Sequence, residues 1–418
     1  MKTVILQKIT SICFVILFIV LSFSPSTHSF DTNNSNDSLW TSFPGSFRFT
    51  PSFPDVNSRY DIFSFFQDTG SYDCLKITGE YPFCRYFSFT LYDENTSTDF
   101  SSLHDAEIIP DNHHFNPFYL NTSRDVSQRN YTIWLIKEGV SPPDQSENVL
   151  ILPRSFEKIQ VFYRLYRPDK NSDSFGNVSL PQIEAVNRDL SPGVLPKSTI
   201  TPKSLFLKIR SLFFKEDLIN IWDLANRFSE ENVWFYRIDD QGLYPSSDNE
   251  YIIAPLTQDY FNKIAVITVD SPSFEHTLNG EEFTGDSDVR YWSLSIGGLG
   301  LTSTAGSLCD DQLKMKDDGS VTVLIAPGFL TQLLSNNGYN VLPWGGCYKP
   351  LLIYRQMLAN ESFLGNIKRI PSIPRPPTVE NQTMDYFADH GASQFIGDYC
   401  PQVELCTLPQ FFLSTKFF

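Results

Sequence analysis

Histidine is scarce in this chain, with six among 418 residues. No Gly-x-Ser-x-Gly and no Cys-x-x-Cys occurs. The first absence removes the nucleophile elbow of the α/β-hydrolases. The second removes a zinc or redox centre built on that spacing. Beyond Leu21 no stretch approaches the roughly 18 apolar residues that a membrane span requires. Positive charge is also short: Lys and Arg number 32 against 48 Asp and Glu, a net charge of −16. Such a surface repels phosphate backbones and anionic lipid, so nucleic acid is not an expected partner. The acids form no long block, which points to a solvated surface and not an acidic tail.

What is present begins with an address. Lys2 and Lys8 form a short positive region, Ile12 to Leu21 is an unbroken apolar run, and Thr27-His28-Ser29 supplies small residues before Phe30. This predicts a secretory signal peptide over residues 1–29, with no transmembrane segment after cleavage. The end, Ser414-Thr415-Lys416-Phe417-Phe418, carries neither a retention tetrapeptide nor a GPI signal. The expected location is extracellular. Loss of Lys2 and Lys8 takes the charge from −16 to −18. Sequons stand at Asn33, Asn36, Asn95, Asn121, Asn130, Asn177, Asn360 and Asn381, and in a secreted chain these predict N-glycosylation. Six cysteines remain after Cys13 leaves: Cys74, Cys84, Cys309, Cys347, Cys400 and Cys406. An even count in an oxidising compartment predicts disulfides, although spacing alone selects no connectivity. Gly79 lies midway between Cys74 and Cys84, so a hairpin turn there would set the two opposite each other. Cys400 and Cys406 are close enough in sequence to form a second pair.

The chain also repeats itself. Arg85-Tyr-Phe-Ser-Phe-Thr-Leu91 parallels Arg290-Tyr-Trp-Ser-Leu-Ser-Ile296, and Ser102-Leu-His-Asp105 parallels Ser307-Leu-Cys-Asp310. Tyr131 to Ile136 matches Val321 to Ile325, Asn148-Val-Leu150 matches Asn340-Val-Leu342, and Val161-Phe-Tyr-Arg164 matches Leu352-Ile-Tyr-Arg355. Five segments in one order indicate an internal duplication. They are short, rich in β-branched and aromatic residues, and bounded by Gly, Asn, Asp and Ser. Ile159, Val161, Tyr163 and Leu165 share one face of a strand. Gln160, Phe162, Arg164 and Tyr166 share the other, a mixed face expected on a sheet covered by something else. The fold class that follows is mainly β: two tandem antiparallel jelly-roll or β-sandwich domains joined by a short helical connector. The expected order is a polar segment at 30–58, a first domain at 59–190 and a connector at 191–230, helical over Pro202 to Phe228. A second domain spans 231–368, and a Pro-rich spacer with a Cys-containing tail spans 369–418.

Arg85-Tyr-Phe-Ser-Phe-Thr-Leu-Tyr-Asp93, His104-Asp105, Pro110-Asp111, Asn116-Pro-Phe118 and Tyr163-Arg-Leu-Tyr-Arg-Pro-Asp169 stand in the first half. Arg290-Tyr-Trp-Ser293, Asn340-Val-Leu-Pro-Trp344, Tyr354-Arg-Gln-Met357 and Tyr399-Cys400 stand in the second. Together they resemble a group of secreted proteins of bacteria and microbial eukaryotes, built from paired domains of unknown function. The resemblance covers most of residues 60–400. It implies two jelly rolls and secretion, and it brings no catalytic residue. The loop Leu299 to Gly306 and the pair Cys74 and Cys84 depart from that pattern.

Candidate chemistry is thin. His104, Asp105, Asp111, His113 and His114 cluster within eleven residues and could hold a metal at a strand mouth. The His-x-His of a cupin-type site is absent, and the second copy places Cys309 where the first has His104. Asp105 and Asp310 occupy equivalent positions, although carboxylates in separate domains seldom share one cleft. A turn-forming Asp and a buried ion pair of Arg164 or Arg355 are the plain structural alternatives. Gly297-Gly-Leu-Gly300 lacks the following helix that a phosphate loop needs. Trp344 is either a core ring or a platform for sugar stacking. No cofactor is implied. The expected partners are an extracellular glycan or protein, met by a recognition module. A secreted enzyme acting on carbohydrate or with metal assistance, and a structural coat protein, are the alternatives.

Overall fold

Short runs of β-branched and aromatic residues fold into nineteen strands among the described residues. The computed structural model describes residues 39–44, 54–143, 146–199, 233–238, 244–256, 262–298, 303–347, 350–373 and 389–414. The leader, the helix expected over Pro202 to Phe228, most of the Pro-rich spacer, and Asn33, Asn36 and Asn381 lie outside the described residues.

The first half contains β1 (Thr41–Pro44), β2 (Ser58–Phe66), β3 (Cys74–Glu80), β4 (Cys84–Asp93), β5 (Asp99–His104), β6 (Asn130–Lys137), β7 (Val149–Leu152), β8 (Lys158–Pro168) and β9 (Gln182–Val186). A sheet of order β1-β2-β8-β4-β5 belongs to it, with a second of order β7-β6-β3-β9. The second half contains β10 (Arg237–Ile238), β11 (Asn249–Pro255), β12 (Lys263–Asp270), β13 (Tyr291–Gly298), β14 (Ser303–Cys309), β15 (Ser320–Ala326), β16 (Asn340–Pro343), β17 (Pro350–Met357), β18 (Ser372–Ile373) and β19 (Gln402–Thr407). Its sheets run β11-β17-β13-β14 and β16-β15-β12-β19, with β10 and β18 as a small parallel pair. Strand for strand, the order in the second half repeats the order β2-β8-β4-β5 and β7-β6-β3-β9 of the first. Even the irregularity recurs: the β4–β5 register shifts between Leu91 and Tyr92, and the β13–β14 register between Ile296 and Gly297. A bulge at matching places gives both sheets the same local bend.

The sandwich expected from the sequence is present, with one addition per half. β6 and β7 pair in parallel, as do β15 and β16. Parallel neighbours require a crossover, and in the second half a helix, α1 (Gly328–Asn336), supplies it. The repeated asparagines secure these crossovers. Asn148 Oδ1 accepts from the Ile109 N–H at 2.8 Å, and its Nδ2 donates to the Ile109 and Thr132 carbonyls at 2.7 and 2.9 Å. Asn340 does the same with Lys314 and Thr322, at 2.9, 3.0 and 3.0 Å.

Each half has its own apolar core. Phe87, Phe89, Tyr131 and Tyr163 pack in the first, and Trp292, Leu294, Tyr354 and Leu352 in the second. The mixed face of β8 is buried too: Gln160, Phe162, Arg164 and Tyr166 all lie out of solvent. What covers it includes the other half, since Tyr86, Tyr166, Tyr291 and Met357 form one cluster across the junction. Strands β4 and β13 are therefore buried along their whole length. Residues set apart by composition as a tail also enter the fold, because β19 pairs antiparallel with β12.

The expected disulfides are not formed: none of the six cysteines is bonded to another. Gly79 is not a turn residue but lies inside β3, paired with Tyr131. The chain turns after it, and β3 and β4 enter different sheets. Cys74 and Cys84 each begin a strand, so the length of β3 separates them at roughly 3.3 Å per residue. Cys400 packs in the core of the second half, whereas Cys406 points from the other face of β19 into a separate cluster with Phe411.

Candidate functional site

The junction between the halves is assembled from the repeated residues themselves. Asp105 follows β5 and is wholly buried. Its Oδ2 accepts from the Phe87 N–H at 3.0 Å, and its Oδ1 faces Arg290 Nη1 at 3.1 Å. In the other half, Asp310 Oδ2 accepts from the Trp292 N–H at 3.0 Å, and its Oδ1 takes Arg85 Nη1. Arg85 is the sequence equivalent of Arg290, and Asp105 of Asp310. Each half thus gives an arginine to the other and receives one. Arg85 also reaches Asp311 at 2.6 Å, and Arg167 holds Asp311 at 2.7 Å. Burial opposes the Arg85 charge, yet Asp310 and Asp311 outweigh it and push the guanidinium up. Burial likewise raises Asp105, but Arg290 and His104 outweigh it and hold the carboxyl below its usual range.

A second exchange lies beside the first. Tyr86 donates to Asp248 Oδ2 at 2.6 Å, and Tyr291 to Asp55 Oδ2 at 2.7 Å. Asp248 sits just before β11 and Asp55 just before β2, the equivalent strands of the two halves. Asp55 is buried and also meets Arg355 at 2.9 Å, with Ser293 and Ser307 donating at 2.5 and 3.1 Å. Burial works to raise its carboxyl, and Arg355, Ser293 and the Asn57 N–H bring it below the usual value. The ion pair expected of Arg355 is present, although its partner lies far off in sequence. Arg164 instead donates to neutral oxygens, Thr90 Oγ1 at 2.8 Å, the Tyr244 carbonyl at 3.2 Å and the Tyr92 hydroxyl.

The long β5–β6 loop, which carries the other sequence candidates, closes one end of this junction. Buried Asn116 fixes its base: Nδ2 donates to the Asp105 and Ile108 carbonyls at 2.7 and 2.8 Å, and Oδ1 accepts from the Phe118 N–H. Phe118 stacks on Phe283 of the β12–β13 loop with centroids 5.4 Å apart, and the Asn121 N–H donates to the Phe283 carbonyl at 2.8 Å. Gly285 below this contact has a φ of +75°, a conformation that favours glycine, and a Cβ there would lie 2.9 Å from a Leu120 methyl.

The five clustered candidates therefore take separate parts. His104 Nδ1 stands 3.6 Å from Asp105 and Nε2 3.8 Å from Glu107. Burial lowers its basicity, but Asp105, Asp248 and Glu107 outweigh it and raise its pKa. His114 Nδ1 accepts the Asn130 N–H at 2.9 Å, while the Asp111 N–H donates to the Asn130 carbonyl at 3.0 Å. His113 is exposed with φ of +66°. Their ligand atoms form no metal-sized group. Among the described residues, the one set of that size is Cys309, Asp310 and Asp311, within 4.8 Å of one another. Its two carboxylates are already committed to Arg85 and Arg167. Trp344 is core: it is buried, and its Nε1 donates to the Lys263 carbonyl at 2.9 Å.

What the loop leaves in solvent is apolar. Phe115 is 54% exposed and Leu120 57%, with Ile109 and Tyr119 also exposed. Sequence reasoning overlooked these residues, together with Asp55 and the role of Arg85. Arg85 and Arg290 were detectable from their common 205-residue offset with the two acids.

No described protein family and no curated protein matches the chain. Its fold is similar to that of an uncharacterized protein from Burkholderia cenocepacia, with a TM-score of 0.50 and 14% identity over 90% of this chain and 83% of that one. A protein from Vibrio parahaemolyticus aligns at a TM-score of 0.44 and 10% identity, over 86% of this chain and 91% of that one.

Proposed function

We propose that the chain is a secreted glycoprotein that recognises an extracellular glycan or protein through its β5–β6 loop. The observation that carries this is the exposed apolar set Ile109, Phe115, Tyr119 and Leu120 on a loop pinned by Asn116 and Phe118. Apolar side chains held in solvent by a rigid base are a feature of binding surfaces. The titratable groups nearby, Asp105, Asp310 and Asp311, are engaged by arginines, which favours binding over turnover. The five described sequon asparagines, Asn95, Asn121, Asn130, Asn177 and Asn360, are all exposed, in keeping with glycosylation. A glycan on Asn121 would stand beside Leu120 and modulate access to the loop.

The test is an array of oligosaccharides and extracellular proteins probed with the chain secreted from eukaryotic cells. Phe115→Ala with Tyr119→Ala should weaken a saturable signal about tenfold or more, which is about 1.4 kcal/mol, with the melting temperature unchanged. Absence of any saturable ligand would favour a structural coat protein. Turnover of a carbohydrate, lost on His104→Ala, would favour the enzyme.

A further inference from the structure

The arginines around the junction do not balance. Arg85 has Asp310 and Asp311, Arg167 has Asp311, Arg290 has Asp105, and Arg124 has Asp169 at 2.7 Å. Arg129 has no carboxylate within ion-pair distance among the described residues, although it is only 4% exposed; Asp169 and Glu80 act on it from farther off. Its Nη1 donates to the Arg124 carbonyl at 3.3 Å, and its guanidinium lies 3.6 Å from the Phe83 ring centroid. Arg124, 3% exposed, spends one nitrogen, Nη2, on Asp169 and the Cys84 carbonyl. Its Nε and Nη1 and the Nε of Arg129 are buried without an acceptor. Arg164 also lacks a carboxylate, but oxygens accept from it and none of its nitrogens is orphaned.

Two buried cations that share one bonded carboxylate, with three idle nitrogens between them, are costly, and a further negative charge would relieve them. The acids that act on Arg129 are Asp169, already bonded to Arg124, and Glu80, and neither lies within ion-pair distance of it among the described residues. We propose that Arg124 and Arg129 hold a small inorganic anion of halide size, between the start of β4 and the segment entering β6. Such an anion supplies both the missing charge and the missing acceptors, whereas a water molecule supplies only acceptors. The electrostatics agree: burial first, and then the neighbouring Arg124, lower the Arg129 pKa to about 10. That leaves it charged at neutral pH and short of negative charge.

The experiment compares thermal unfolding of the full chain in sodium chloride and in sodium gluconate at matched ionic strength. Chloride should raise the melting temperature saturably, by about 2 °C at ten times its dissociation constant. Arg129→Met keeps the stack on Phe83 and should abolish the difference. Crystals soaked in bromide should show an anomalous peak at hydrogen-bonding distance from Arg129 Nε, a readout independent of whether the variant folds. Equal melting in the two salts, a chloride effect retained by Arg129→Met, or bromide found only at surface positions would overturn the proposal.

Discussion

Replacing Arg85 by methionine gives the sharpest test of how the halves are held together. The arginine is fully buried and serves two carboxylates, Asp310 and Asp311. Methionine fills similar volume but leaves Asp310 without its arginine and Asp311 with Arg167 alone. Removing one member of a buried pair costs about 3–5 kcal/mol, and Arg85→Met should fall in that range. Its twin is less enclosed: Arg290 keeps 12% side-chain exposure and holds one acid, Asp105. Water can partly replace it, so Arg290→Met should cost about 1–3 kcal/mol. Asp310→Asn removes the acid charge while an amide oxygen can still accept the Trp292 N–H. The double variant Arg85→Met/Asp310→Asn should therefore cost less than the sum of the singles by about 1–3 kcal/mol. Equilibrium unfolding in urea, with midpoint and slope fitted for all four proteins, measures each corner of the cycle. A cost below about 1 kcal/mol for Arg85→Met, or additivity to within about 0.5 kcal/mol, would refute the argument.

Asp55→Asn should destabilise the chain by about 3 kcal/mol at neutral pH, because Arg355 then lies buried without its counter-charge. The folded-state pKa of Asp55 is depressed, so its contribution is complete above the unfolded value of roughly 4 and fades as pH falls through the lower folded value. The wild type should therefore lose stability toward acid more steeply than Asp55→Asn, and parallel pH profiles would count against it. Thiol titration of a chain that begins at Phe30 should find six groups in denaturant. Cys84 and Cys309, whose thiols burial pushes far up, should be inert in the native state. Fewer than six thiols would mean that disulfides form after all.

Much of the architecture was legible because the repeat preserves the residues that make contacts between strands and halves. Asn148 and Asn340 recur since each joins a crossover strand to a loop, and Arg85 with Asp105 recurs since each half needs both a donor and an acceptor. The faces of β8 were legible from simple alternation. Other features depend on contacts that spacing does not encode. Asp55 meets Arg355 across 300 residues, and nothing local marks it. β19 follows a Pro-rich stretch that resembles an exit from the fold. A glycine midway between two cysteines reads as a turn, whereas Gly79 stands inside β3 because the hydroxyl of Tyr131 needs the space a larger side chain would fill. The candidate metal cluster rested on proximity in sequence, whereas His114 Nδ1 accepts the Asn130 N–H.

The reciprocal arginine–aspartate exchange has a further consequence. It has the form of a two-fold dimer interface closed within one polypeptide, so every contact in it could equally be made between two chains. The first half continues to Thr199, whose N–H donates to the Ser64 carbonyl, and the second resumes at Val233, packed on its core. A covalent connection keeps the partner half at an effective concentration that separate chains reach only when concentrated. Closure within the chain therefore wins under dilute conditions. Shortening that connection until it cannot span the junction would leave both surfaces intact and favour a domain-swapped pair over closure within one chain.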